Sequence, residues 1–295
     1  MVTLDTAEIS SQSGPAVAIL PYSERFKNGL SNVNLDLLNW PLGRPERLAL
    51  GTVGDMLPSD HLISYPKTKL YFSKSIRANL SLMIVEPDVI HKKHLYLARY
   101  FQSRFYRILT KNSDLIRRCR KARFFFYGAS QIENVAKVDT SKKRGCSLIA
   151  SSRNKLEGHQ LRHQIVNEAK KLGLDVAVLG RGYQSFGPKE DGLAPYMYSV
   201  VIENSVETSY FTEKIVDTCL CRTVPIYWGA PDIGDYFDVE GIIVCQSAQE
   251  ILEAIENISA DDYVSRQEAI ERNCFFAKKY ADVEMRAALE VMSND

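Results

Sequence analysis

The stretch VVIENSVETSYFTEKIVDTCLCRTVPIYWGAP, residues 200–231, decides how this chain is read. Its two apolar runs, VVI and VPIYWG, have the β-branched and aromatic content of buried strands. Between them Glu203, Asn204, Tyr210, Glu213 and Lys214 crowd into twelve residues. In a parallel α/β sheet, ligands sit outside the carboxyl ends of the strands, where Glu203, Asn204 and Ser205 fall. Tyr210 to Lys214 open the helix that follows. A helix N-terminus offers free backbone N–H groups and partial positive charge, which suits phosphate. A lysine there is slightly disfavoured by the helix dipole, so Lys214 asks for an anion. An ordinary capped helix explains most of the same pattern, with Ser209 or Thr212 as cap, Glu213 in the first turn and Asn204–Ser205 as a turn. Spacing leaves both readings open, and only Lys214 separates them.

Working outward, apolar runs alternate with amphipathic segments along the whole chain, the pattern of α/β domains with mainly parallel sheets. Strands are expected at 16–20, 48–53, 69–72, 80–85, 105–110 and 122–127, with helices at 91–102 and 113–119. Residues 131–144, QIENVAKVDTSKKR, lose apolar periodicity and gain charge, which marks them as a linker. A second series follows: strand 146–151, helix 156–173 stopped by Gly173, strand 175–180, strand 198–202, helix 209–221, strands 224–229 and 241–245, and helix 247–258. Alternation this regular argues a second parallel, doubly wound sheet. The remainder is helical by composition. At 295 residues, two domains are the natural division. The expected boundaries are 1–135, 145–275 and a C-terminal helix at 276–295.

Composition excludes several classes. Lys plus Arg number 37 against 36 Asp plus Glu, so there is no global attraction to nucleic acid or to a membrane. The basic runs RRCRKAR and SKKRG leave peripheral membrane contact open. No apolar run approaches the ~20 residues needed to span a bilayer, and the N-terminal residues show no signal-peptide pattern. The six cysteines show no CxxC pair, which suits reduced thiols in a cytoplasmic protein.

Other polar clusters are weaker. Ser151, Ser152, Arg153 and Asn154 follow a strand, and Arg162 stands in the ensuing helix, but no G-x-G-x-x-G is present. Gly180-Arg181-Gly182 reads as a turn. His159 and His163 have a metal-compatible spacing without the glutamate or third ligand a zinc site needs. No Asp-x-Asp occurs, so a bound diphosphate would be neutralised by Arg162 and Lys214 rather than by a metal bridge. Glu86, at the end of strand 80–85, is a candidate general base, with a plain strand-ending turn as the alternative.

The motifs together resemble glycosyltransferase family 10, the α-1,3/1,4-fucosyltransferases, and more their bacterial branch than the animal one. YMYSVVIENS, YFTEKI and VPIYWGAP are similar to the family's donor-binding segments. SLIASSRN with LRHQIVNEAKKLG and KEDGLAPY extend the likeness upstream, so that residues 146–231 carry it. MIVEPDV resembles the family's acceptor-domain turn. The departures are Ile202, Phe211 and Ser152 within the donor segments and Val85-Glu86-Pro87 in that turn.

The resemblance implies a GT-B-like fold, two Rossmann-like domains facing a cleft. It implies inverting transfer of fucose from GDP-fucose to a hydroxyl of a glycan acceptor, whether polysaccharide, lipopolysaccharide or soluble oligosaccharide, with no metal. By motif, Asn204, Tyr210, Glu213, Lys214, Arg162 and Glu203 would belong to the donor site, with Glu213 at the ribose and Arg162 and Lys214 at the diphosphate. Glu203 suits a supporting role beneath the loop equally well. A different GDP-sugar, or a non-catalytic nucleotide-sugar-binding protein, remain the alternatives.

Overall fold

The structure, a computed structural model, describes residues 14–74 and 76–293. The chain divides into two compact units, one comprising residues up to 125 with 284–295, the other Phe126–Val283.

The first unit is built on a five-stranded parallel sheet. Its elements are β1 (Val17–Leu20), β2 (His61–Ser64), α1 (Thr68–Phe72), β3 (Asn79–Ile84), α2 (Asp88–Tyr100), β4 (Ile108–Thr110), α3 (Ser113–Arg118) and β5 (Ala122–Phe124). The strands lie in sequence order, β1-β2-β3-β4-β5. Alternate strand residues Ala18, Leu20, Leu62, Leu82, Ile84 and Ile108 share one core with Leu70, Tyr71, Ala98 and Leu115 of the helices. The last helix, numbered α9 below, returns to this unit. Arg107 donates from Nη2 to the Ser293 carbonyl at 2.6 Å, and Asn39 donates to Glu284 at 2.8 Å.

Four sequence expectations differ here. Residues 48–53 form no strand but two 3-10 turns, Glu46–Leu48 and Val53–Asp55. Gly51 has φ 119°, a left-handed conformation that breaks an extended run. Residues 69–72 lie in α1, where adjacent Leu70 and Tyr71 are both buried, a helical rather than an alternating pattern. The strand His61–Ser64 escapes the sequence pattern because polar His61 and Ser64 bound its two apolar residues, although all four are buried. The interval 131–144 is not a linker. Ile132 enters the second unit's core, and Lys142 donates to the carbonyls of Ala194 and Cys221 at 2.9 and 2.8 Å.

The second unit carries β6 (Arg144–Ile149), α4 (Glu157–Leu172), β7 (Val176–Leu179), β8 (Tyr196–Ile202), α5 (Glu213–Leu220), β9 (Val224–Trp228), β10 (Ile243–Val244), α6 (Ala248–Asn257), α7 (Ala260–Ser265) and α8 (Gln267–Tyr280), and α9 (Val283–Met292) follows. The end of the chain is thus two helices assigned to different units, not one helix over 276–295. The sheet order is β10-β9-β8-β6-β7, all parallel. Strand side chains alternate between two covered faces. Val200, Ile202, Ile226 and Trp228 pack with Ile165 of α4 and with Ile251 and Ile255 of α6. Val201 and Tyr227 pack with Ile215, Val216 and Leu220 of α5 and Ala277 of α8. Helices on both faces make this sheet doubly wound, and the chain reverses direction between β6 and β8. That reversal opens a crevice at the carboxyl ends of these two strands.

All six cysteines are buried and free. Among the described residues, no helix is long and apolar enough to cross a membrane.

Candidate functional site

A cavity of about 450 Å³ occupies the crevice between β6 and β8. The ends of both strands wall it, with Ile149 to Arg153 on one side and Ser199 to Ile202 on the other. Five basic side chains converge on it, Arg153, Arg162, Arg181, Lys189 and Lys214, against one carboxylate, Glu213. A pocket with that balance of charge attracts a polyanion.

Lys214, Glu213 and Arg162 are held by local structure. Thr212 caps α5, its side chain accepting from the Lys214 N–H at 3.4 Å, which places Glu213 and Lys214 in the first turn. Lys214 Nζ donates to Thr212 Oγ1 at 2.9 Å and lies 3.3 Å from both Glu203 Oε2 and Glu213 Oε1. Burial would push this ammonium down, but the charges of Glu203 and Glu213 outweigh it and hold Lys214 above the ordinary lysine value. Glu213 is held below the usual carboxylate range: burial opposes this, and Lys214 and Lys189 overcome it. Both groups are therefore ionised at neutral pH.

Glu203, fully buried, accepts from Thr212 N and Oγ1 at 2.8 Å each. It fastens the loop to α5 and does not line the cavity. Arg162 in α4 is buried, its Nε donating to the Ile202 carbonyl at 3.1 Å and its Nη2 to that carbonyl and to Asn204 Oδ1, the latter at 3.2 Å. Burial lowers its pKa, with Glu203 opposing, yet a guanidinium stays charged. Asn204 thus acts on the cavity through Arg162 and does not line it, and Tyr210 is buried behind the loop.

Two glycines permit this packing. A Cβ on Gly158 would meet the Glu203 carbonyl oxygen at 1.7 Å, so α4 reaches the end of β8 only with glycine there. Gly180 has φ 118°, and its Cβ would lie 2.1 Å from the Ala150 carbonyl oxygen. The Gly-Arg-Gly turn therefore brings β7 hard against β6 and sets Arg181 on the rim.

Of the residues expected from the sequence, Arg162, Glu213 and Lys214 come together on the cavity, while Glu203, Asn204 and Tyr210 lie behind it. Glu86 stands in the first unit, at the turn between β3 and α2. Lys189, on a short 3-10 turn before β8, was not singled out from the sequence, although KEDGLAPY contains it. Burial lowers its pKa, and the charges of Asp217 and Glu213 counter that. His159 and His163 do not face one metal: His159 Nδ1 accepts from Leu156 N at 3.3 Å, and His163 pairs with Tyr183 Oη at 2.7 Å. Among the described residues, no group of three or more His, Cys, Asp or Glu is placed to hold a metal ion.

Comparison with known proteins shows what the chain is similar to. The model of the glycosyltransferase family 10 (fucosyltransferase) C-terminal domain matches residues 140–263. The α-(1,3)-fucosyltransferase FucT of Helicobacter pylori is 33% identical over 70 residues, 24% of this chain and 15% of that protein's length. Among solved structures, an α1,3-fucosyltransferase with GDP aligns at TM-score 0.50 and 15% identity, over 80% of this chain and 79% of that one. Anabaena Alr3699/HepE in complex with UDP-glucose aligns at TM-score 0.57 and 14% identity, over 80% of this chain and 79% of that one. Two parallel α/β units of this kind make the fold GT-B-like.

Proposed function

We propose, from the match of residues 140–263 to the glycosyltransferase family 10 C-terminal model, that the chain transfers fucose from GDP-fucose to a hydroxyl of a glycan, with inversion and without a metal. The observation that carries this reading is the convergence of five cations and Glu213 on the β6–β8 crevice. A nucleoside diphosphate brings two phosphates for the cations and ribose hydroxyls for the carboxylate. In this reading Arg162, Lys214 and Lys189 take the diphosphate, and Glu213 accepts from the ribose. Glu203, Asn204 and Tyr210 keep the loop and Arg162 in place.

The acceptor O–H gives its proton to Glu86 while its oxygen attacks the anomeric carbon, and the bond from that carbon to the diphosphate breaks. GDP leaves with the bonding pair. Fixed positive charge at the leaving group lowers the barrier because it is already oriented when negative charge develops. The buried, free thiols suit a cytoplasmic site of action.

A UDP-sugar donor is the second reading, favoured by the UDP-glucose complex of HepE with its TM-score of 0.57. Calorimetry with GDP, UDP and ADP separates the two, followed by transfer of labelled sugar from GDP-fucose in EDTA. The expected outcome is GDP bound about tenfold or more tighter than UDP, and transfer that survives EDTA. Glu86→Gln is expected to slow that transfer by about 10²-fold or more without changing GDP affinity. Tighter binding of UDP, or GDP-fucose that is bound yet never transferred, sinks the reading.

A further inference from the structure

A second cavity, of about 620 Å³, opens within the first unit. It lies past the carboxyl ends of β1 and β2, between the loops that leave these strands. Arg25 and Lys27 come from the first loop, Lys67 from the second and Lys69 from the first turn of α1, and no carboxylate joins them on its walls. None of the four makes an ion pair with another described residue.

The lysines are tied across the loops rather than trailing in solvent. Lys67 Nζ donates to the Tyr22 carbonyl at 3.1 Å and Lys69 Nζ to the Phe26 carbonyl at 3.4 Å. A carbonyl solvates an ammonium without neutralising it, so these contacts leave the positive charge in place. Burial and the neighbouring Arg25 push the Lys67 ammonium down, Glu24 opposing them, as expected where cations are crowded. Tyr22 is 60% exposed, and its ring packs edge-on to Tyr65 at 5.4 Å, with Lys67 Nζ 5.7 Å from its centre. It forms a flat apolar wall beside the charges.

We propose that this cavity binds an acidic saccharide, its carboxylate or phosphate held by Arg25, Lys27, Lys67 and Lys69 and a sugar ring laid on Tyr22. If the chain is the transferase described above, the saccharide is the anionic part of its acceptor. That last step rests on the transferase reading, whereas the binding itself does not. Concavity favours a saccharide over a lipid surface, because the volume is that of a small-ligand pocket and a bilayer is flat.

The test uses the full chain, titrated with a short oligogalacturonate, a phosphomannan oligosaccharide, neutral maltohexaose and phosphatidylglycerol vesicles. Acidic oligosaccharides are expected to bind about tenfold or more tighter than maltohexaose at low salt. Whichever of the two acidic sugars binds more tightly identifies carboxylate or phosphate as the natural charge. Arg25→Glu and Lys27→Glu, both at exposed positions, are each expected to weaken that binding about tenfold while GDP affinity stays unchanged. Equal binding of maltohexaose, undiminished binding by both variants, or vesicles that bind through the same residues and displace the oligogalacturonate would each overturn the proposal. Loss of GDP binding with acidic-saccharide binding intact would instead overturn the transferase reading and leave this site standing.

Discussion

Both units rest on a five-stranded parallel sheet, but the two sheets are wound differently. In the first, each crossover steps to the next neighbour, β1 to β5, and no two adjacent strands send their chains in opposite directions. In the second, the chain runs from β6 outward to β7, then returns past β6 to β8 and onward to β10. A reversal of that kind parts the loops above β6 and β8 and leaves a crevice that backbone geometry alone creates. The first unit has no such opening, and its cation-lined cavity is made by loops at the edge of its sheet. Both cavities gather positive charge. They differ in how the charge is held: Arg162 and Lys214 of the second unit stand on α4 and α5 and are tied to Asn204 and Glu203, whereas Arg25, Lys27 and Lys67 of the first come from loops.

If the crevice is where the chemistry occurs, the largest effect belongs to Lys214. Lys214→Ala is expected to lower turnover 10²–10³-fold, about 3–4 kcal/mol of transition-state stabilisation. Lys69→Ala in the first unit should leave turnover of a neutral acceptor within about twofold, as a surface substitution away from the site would. Steady-state kinetics on both variants checks this, and equal losses would erase the distinction between the two cavities. Next comes Gly158→Ala. Its Cβ would collide with the Glu203 carbonyl oxygen at 1.7 Å, so α4 must shift or β8 must yield. A destabilisation of about 3 kcal/mol is expected in denaturant unfolding. Gly145→Ala, with nothing within 4 Å of the new Cβ, serves as the control.

The second unit was the more legible in the sequence, and the reason is physical. Its central strands are covered on both faces, so YSVVI and VPIYW read as continuous apolar runs, and its helices are long enough to show amphipathic spacing. The first unit uses a four-residue strand bounded by His61 and Ser64, a five-residue helix and a chain of 3-10 turns. None of these is long enough to display a period. Strand order was not legible in either unit, because it depends on which edge β7 joins and not on the local pattern of β7. Within the site, Arg162, Glu213 and Lys214 were legible from motif and helix position. Glu203, Asn204 and Tyr210 carry the same motif, yet packing draws them behind the cavity wall. Gly158 gave no signal because its need arises from a contact with residues 45 positions later, at Glu203.

One buried group in each unit, His91 and Asp217, should contribute to stability with opposite dependence on pH. Burial, with His94 and Lys111 adding to it, pushes buried His91 of α2 down to about 4. The unfolded chain then binds more protons than the folded one between that value and the ordinary histidine value, so the first unit gains stability as pH rises through this window. Asp217 of α5 is fully buried, accepts from Ser130 Oγ at 2.7 Å, and leaves Oδ2 without a hydrogen-bond partner. Burial raises its pKa to about 7, partly offset by Ser130. Here the folded state binds the extra proton between the ordinary aspartate value and about 7, so the second unit loses stability as pH rises. Between pH ~5 and ~6.5 each contribution changes by about 2 kcal/mol, since each titration unit is worth about 1.4. Hydrogen exchange resolved by segment, corrected for the intrinsic pH dependence, reads the two slopes separately. Asp217→Asn should flatten the slope of the second unit alone. A slope in the second unit that Asp217→Asn leaves unchanged would contradict the assignment.

The smallest effect expected tests a residue the sequence hid. Lys189 sits on the 3-10 turn Lys189–Gly192, where a lysine beside Glu190 and Asp191 reads as part of a solvated charged loop. The structure instead turns it onto the cavity with Arg162, Glu213 and Lys214. Because Arg162 and Lys214 are anchored by Asn204 and Glu203 while Lys189 rides on a short turn, its charge should add affinity without setting the geometry of the leaving group. Lys189→Ala should therefore weaken GDP binding by about tenfold, the worth of one charge-assisted hydrogen bond, and change turnover at saturating donor by less. Lys189→Arg should recover most of the affinity, since the role asks for charge and reach rather than for one fixed geometry. If turnover falls as far as it does in Lys214→Ala, Lys189 belongs with the groups that stabilise the departing diphosphate. The crevice would then extend its rigid part to the turn before β8.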